Sequence, residues 1–240
     1  MVNLKSFSNE MHLAEFNRRL GLQRALSKSN FFTSPVVTYS YSLFKRDALP
    51  VEGLRYLSNS YTRNLYNWMI SQLTGALTDA GGTVFEAGSL AMKDRLAATY
   101  SDASYPAHIS SFASYRGTAG TVTQGLVVGS GDAAESFEHH VLDALIANGT
   151  GANQLTYMAQ GNTSFGHDVP TDTFTISHHR NFERTGAASV FIKEIGFYFL
   201  LARPGLNKSY MILRDLVDPV IEVEDAFVLR LTYDFTFAMP

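Results

Sequence analysis

The stretch GLVVGSGDAA, beginning at Gly125, sets Gly129, Gly131 and Ala134 at the spacing G-x-G-x-x-A. Between a strand and a helix, that spacing lets backbone N–H groups close on a dinucleotide pyrophosphate. Two features of the surrounding residues oppose this chemistry. Asp132 and Glu135 place negative charge where the phosphates would sit, at the positive end of the following helix. No Asp or Glu lies between Asp143 and Asp168 to hold a ribose hydroxyl about twenty residues further on. The stretch therefore reads as a tight strand-to-helix turn with acidic capping.

Histidine is the next source of chemistry, in the pairs His139-His140 and His178-His179 and singly at His12, His108 and His167. Adjacent side chains on a helix or strand diverge, so neither pair supplies two ligands to one metal, and H-E-x-x-H spacing is absent. His167, Asp168 and His179 form the one composite acid–base set that folding would have to assemble from separate segments. There is no G-x-S-x-G, no P-loop and no cysteine, which excludes thiolate nucleophiles, disulfides and redox relays. Arg214-Asp215 precedes LVDPV, where Pro219 is incompatible with a central strand. That pair reads as a loop-fixing charge-assisted contact. The expectation is a non-enzymatic protein with no cofactor, no metal and no small-molecule substrate.

These residues must be positioned by a chain of 240 residues that is 45% apolar, enough for a substantial core. The clearest element is the last. In VIEVEDAFVLRLTYDFTF, Phe227, Leu229, Leu231, Tyr233, Phe235 and Phe237 alternate with Arg230, Thr232, Asp234 and Thr236. This is the period of a strand with one face buried. VIEVE and FVLRLTYDFTF are expected to form a hairpin joined near Asp225 and Ala226. Further strands are read in FFTSPVVTYSYSLF, with Val37, Tyr39, Tyr41 and Leu43 on one side, and in GLVVG, NQLTYMAQ, TFTISHHRNF, SVFIKEIGFYFLL and SYMILRDLV. Helices are read from Asn9 to Lys28, from Asn59 to Leu73, and from Ala134 to Ala147 with Phe137, Val141 and Leu145 on one stripe. The expected fold is mainly β: an antiparallel, jelly-roll-like β-sandwich over residues 79–240, preceded by an N-terminal arm and helices over residues 1–78.

Charge is unevenly distributed. Residues 1–70 hold nine Lys/Arg against four Asp/Glu, and the remainder holds ten against eighteen. A basic arm beside an acidic body suits the body of the next copy. Arg18, Arg19 and Arg24 against Glu222 and Glu224 are the candidate contacts. Nucleic acid is not expected, because the cations are spread out rather than clustered. Tyr100, Tyr105 and Tyr115 are candidate anchors, since tyrosine buries much area at little rotamer cost. The same three would form the contact set of an alternative host-surface or carbohydrate-binding module. The first thirty residues contain no signal-like apolar run and no later run is long enough to span a bilayer, so a cytoplasmic product without a membrane partner is expected.

Five segments occur in an order that resembles a group of tailed-bacteriophage structural proteins: GLVVGSGD, HVLDALIANGTGANQLTY, TFTISHHRNF, IKEIGFYF and MILRDLVDPVIEVEDAFVLRLTYDF. The corresponding pieces of that group look like VVGTG, an acidic helix ending I-x-x-G-T-G-A-x-x-L-x-Y, a V-G-L-Y-like strand, and L-x-R-D-V closed by alternating strands. The resemblance spans residues 125–240, with Phe197 standing where leucine is commoner. It implies a virion component assembled in the host cytoplasm at the neck, tail or head surface. The implied partners are copies of itself and other virion proteins, and no catalytic residues are implied.

Overall fold

A computed structural model describes residues 14–15, 17–20, 22, 36–46, 48, 55–58, 61–67, 92–96, 99–100, 113–203 and 206–238. The fold is mainly β and antiparallel. One sheet contains β1 (Val36–Lys45), β2 (Arg55–Leu57), β7 (Thr156–Tyr157), β8 (Ser164–Asp168), β9 (Thr173–Glu183) and β12 (Phe227–Ala238), in the order β2-β1-β12-β9-β7, with β8 also on β9. The other contains β5 (Ala113–Ser114), β6 (Gly125–Gly129), β10 (Val190–Arg203) and β11 (Leu206–Val223), in which β10 pairs with all three partners. A ribbon of β3 (Met92–Lys93) and β4 (Thr99–Tyr100) stands apart. Helical turns occur between residues 14 and 22 and at 63–67.

The alternating side chains of β12 close one wall of the core. Leu229, Leu231 and Tyr233 are fully buried, and Phe197 of β10 stacks on Tyr233 at 6.2 Å and meets Phe235 at 5.8 Å. These rings join the two sheets into a sandwich, with burial of apolar area as the main stabilising term. Tyr39 of β1 stacks on Tyr56 of β2 at 5.2 Å and extends the aromatic layer.

Four sequence expectations are corrected. The segment from Ala134 to Ala147 is not helical: it runs in turns and bridges back to β6 at Gly129↔Leu145. The amides that a helix would use internally are taken by the sheet. Leu142 N–H donates to the Tyr198 hydroxyl at 3.1 Å, Ile146 N–H to the Val128 carbonyl at 3.0 Å, and Asp143 and Ala144 N–H to Glu194. VIEVE and FVLRLTYDFTF are not a hairpin, because β11 pairs with β10 while β12 pairs with β1 and β9. Ala226, at φ 64°, turns the chain from one sheet to the other. Its N–H donates to the Arg184 carbonyl at 3.0 Å, and its carbonyl accepts from Arg46 N–H at 3.1 Å.

SYMILRDLV and VIEVE are one strand rather than two. Pairing jumps from Ile192↔Ile221 to Glu194↔Leu216, so Pro219 occupies a bulged stretch of an edge strand where no ladder N–H is required. Finally, β1 and β2 are not part of an arm. Ten residues of β1 pair with β12 from Val36↔Thr236 to Lys45↔Phe227, which carries the sandwich back into the first 78 residues.

Candidate functional site

Along β9 the inward positions recur every second residue as His178, Arg180 and Phe182, and Arg184 continues the row just beyond. An arginine with no exposed surface must find hydrogen-bond acceptors. Arg180 finds four carbonyls: Thr118 at 2.7 Å, Met158 at 2.8 Å, Leu126 at 2.9 Å and Gln124 at 3.2 Å. Its guanidinium lies over the Tyr157 ring at 4.9 Å, and burial holds its pKa down to about 10. Gln160 adds to the same knot, accepting Leu126 N–H at 3.0 Å and donating to the Tyr115 carbonyl at 2.9 Å. Arg184 ties the next turn, donating to the carbonyls of Ala188 and Gly151 at 2.7 Å and Gln154 at 3.0 Å.

The third buried arginine is Arg214. Its Nε donates to Glu194 at 2.8 Å, with both side chains almost wholly enclosed. Its other nitrogens donate to the Ala133 carbonyl at 2.9 Å and to His139 Nδ1 at 3.2 Å. His139 Nδ1 also accepts Ser136 N–H at 3.1 Å. Burial first and Arg214 second lower the pKa of the ring, so the neutral form is the one that fits. Glu194 accepts from Ala144, Asp143 and Gly131 N–H at 2.8, 3.1 and 3.2 Å.

Gly129 and Gly131 of the G-x-G spacing therefore do flank an anion, and that anion is the protein's own Glu194. A Cβ on Gly131 would lie 2.7 Å from its Oε1 and 2.5 Å from Asp143 Cβ. The glycines are required for close approach, as in a phosphate loop, but an internal carboxylate fills the cradle.

The predicted residues fall in different places. Arg214 and Asp215 do not form a pair with each other. They leave opposite faces of β11, and Asp215 accepts from Tyr233 at 2.5 Å and Ser58 at 2.8 Å inside the sandwich. Arg18 and Arg19 both bind Glu15, at 2.6 and 2.8 Å, and hold its carboxyl down at about 2. Glu222 and Glu224 are exposed at the end of β11 and in the turn beyond it. Tyr115 is half-buried, with its ring 6.0 Å from those of His178, Phe197 and Phe199, so it belongs to the rim of the core. Tyr100 lies in β4. Its side chain, Tyr105 and Arg24 lie outside the described residues.

The composite set is not brought together. His167 pairs across to Phe174, five residues along β9 from His179, a separation of about 17 Å at strand rise. His167 instead lies 3.2 Å from Asp172 at the exposed turn. Among the described residues, no cluster of three or more His, Cys, Asp or Glu is arranged to hold a metal ion. No helix among them is long and apolar enough to cross a membrane.

Leu96, Leu22 and Phe137 are among the exposed large apolar side chains of the described residues, and two further pairs lie on the two main sheets. Phe165 and Val169, at 67% and 73% exposure, lie on β8 and the turn after it, at the edge of the first sheet. Phe191 and Val220, at 51% and 45%, lie on β10 and on the bulged stretch of β11 in the second. Glu222 faces Phe191 in that register. Comparison of the chain with protein-family models, curated proteins and solved structures returns no match.

Proposed function

We propose that this chain is a non-enzymatic structural subunit of a bacteriophage virion, self-assembling at the neck, tail or head surface. The observation that carries the reading is the pair of exposed apolar patches on different sheets of one clamped body. A single patch supports a dimer, whereas patches on two sides allow each copy two neighbours, which rings and shells require. The order of segments over residues 125–240 that resembles tailed-phage structural proteins supplies the biological setting.

Charge fits the same scheme. Glu222 stands opposite Phe191 and Glu224 is exposed two residues further on, while Arg18 retains an exposed guanidinium although it shares Glu15 with Arg19. The helical arm of one copy against the acidic rim of the next makes a contact that salt weakens. Light scattering after size exclusion should show high-order oligomers whose population falls as salt rises. Peptide mass spectrometry on purified particles should find the chain. A monomer at every salt concentration, together with particles lacking the chain, would overturn the proposal.

A further inference from the structure

Sheet edges offer unpaired N–H and C=O groups to any passing strand, and proteins normally cover, shorten or charge them. The outer edge of β11 is covered: Tyr61 bridges Leu213, Thr62 N–H donates to the Ile212 carbonyl at 3.1 Å, and Arg95 N–H donates to the Ser209 carbonyl at 3.1 Å. Strands β2 and β7 are short, at three and two residues. Strand β8 differs from all of these. All five residues of SFGHD are exposed, the pairing with β9 has no register shift, and among the described residues no strand lies on its far side. It carries neither lysine nor proline, and Phe165 stands beside Phe174 with ring centroids 6.1 Å apart.

From this edge we infer that β8 pairs antiparallel with β8 of a second copy, about a two-fold axis through Gly166. The inference rests on the assembly reading above and names one of its contacts. The sequence is self-complementary in that register. Ser164 faces Asp168 of the other copy, a hydroxyl donor against a carboxylate, and Phe165 faces His167, ring against ring. Gly166 faces itself, and a Cβ there would meet nothing within 4 Å, so the two backbones approach without hindrance.

A register shifted to His167 would set that residue against itself and Asp168 against Gly166, losing both pairings. The ribbon is braced for the task. Gly161 N–H donates to the His179 carbonyl at 3.1 Å, and Thr163 Oγ1 lies 3.3 Å from His178 Nδ1 at its base. Such a contact is isologous. It therefore joins copies in pairs and complements the arm-to-body contact that would propagate a ring.

The absence of cysteine makes the register directly readable. Single-cysteine variants of the full chain are mildly oxidised and covalent dimers are measured. Gly166→Cys should give at least tenfold more dimer than Phe165→Cys or His167→Cys, because only residue 166 meets its own copy at about 5 Å between Cβ atoms. If that variant folds poorly, a mixture of Ser164→Cys and Asp168→Cys chains serves instead. It should yield a mixed dimer at least tenfold above either variant alone. Equal yields at all positions, a maximum elsewhere, or no dimer while light scattering still shows oligomers would overturn the ribbon contact and leave the assembly reading standing. Monomers in light scattering at every salt concentration would overturn the ribbon contact, and together with particles lacking the chain would overturn both.

Discussion

The connections between residues 115 and 161 and the β8–β9 ribbon are separated by only a few residues, yet they treat their polar groups in opposite ways. The connections are irregular backbone packed against the sandwich, and their carbonyls are satisfied by Arg180, Arg184 and Arg214 from inside the fold. The ribbon is regular, satisfies one edge through β9, and leaves every side chain of β8 in solvent. Irregular chain can enter an interior only when donors wait there for its carbonyls. Regular chain at an edge needs no such donors, and among the described residues no strand pairs with the far side of β8.

The largest test of this contrast is Glu194→Ala. It strands the Arg214 guanidinium and three backbone N–H groups in the interior, and urea unfolding should show a loss of about 3–5 kcal/mol. A loss below about 1 kcal/mol would mean that the 131–144 connection is not clamped through this carboxylate. Arg180→Met should cost less, about 2–4 kcal/mol, because it orphans carbonyls rather than a charge. Hydrogen exchange should quicken chiefly in residues 117–126.

His178 sharpens the same boundary through pH. Burial, with a smaller contribution from His179, depresses its pKa from 6.5 to about 4. The folded state holds the ring neutral while the unfolded state protonates it, so stability is fully present above pH 6.5 and is lost as pH falls toward 4. The loss is about 3 kcal/mol at most for this one group. His178→Phe should flatten the stability profile across that window, and an unchanged profile would show that the ring is not held neutral by the core. The smallest effect belongs to the ribbon. Phe165→Ser should alter folding stability by less than about 0.5 kcal/mol, while lowering the oligomer fraction seen by light scattering. A large loss of stability would place the ring in the core rather than at a contact.

Much of the sheet structure was legible because apolar alternation is a local signal. β9, β10 and β12 fall where TFTISHHRNF, SVFIKEIGFYFLL and FVLRLTYDFTF place them. The row His178, Arg180, Phe182, Arg184 was not legible as an inward face, because buried arginines look like solvent-facing ones until the carbonyls that receive them are known. The same limit explains the false helix at 134–147. Its amides are taken by Glu194 and Tyr198, which lie about fifty residues away along the chain. The two candidate interface glutamates are on the surface, but Phe165 and Val169 carried no sequence signal that separated an exposed ribbon from a buried strand.

Sequence alone determined that this is a cysteine-free antiparallel β protein with a basic beginning and an acidic body. Composition, charge and a two-residue period are properties of the chain itself. Only the tertiary structure decided which sheet each strand joins, that the glycine-rich turn encloses Glu194, and that among the described residues β8 pairs on one side alone. Those outcomes depend on which distant donor meets which acceptor once the sandwich closes, and local order does not carry that information.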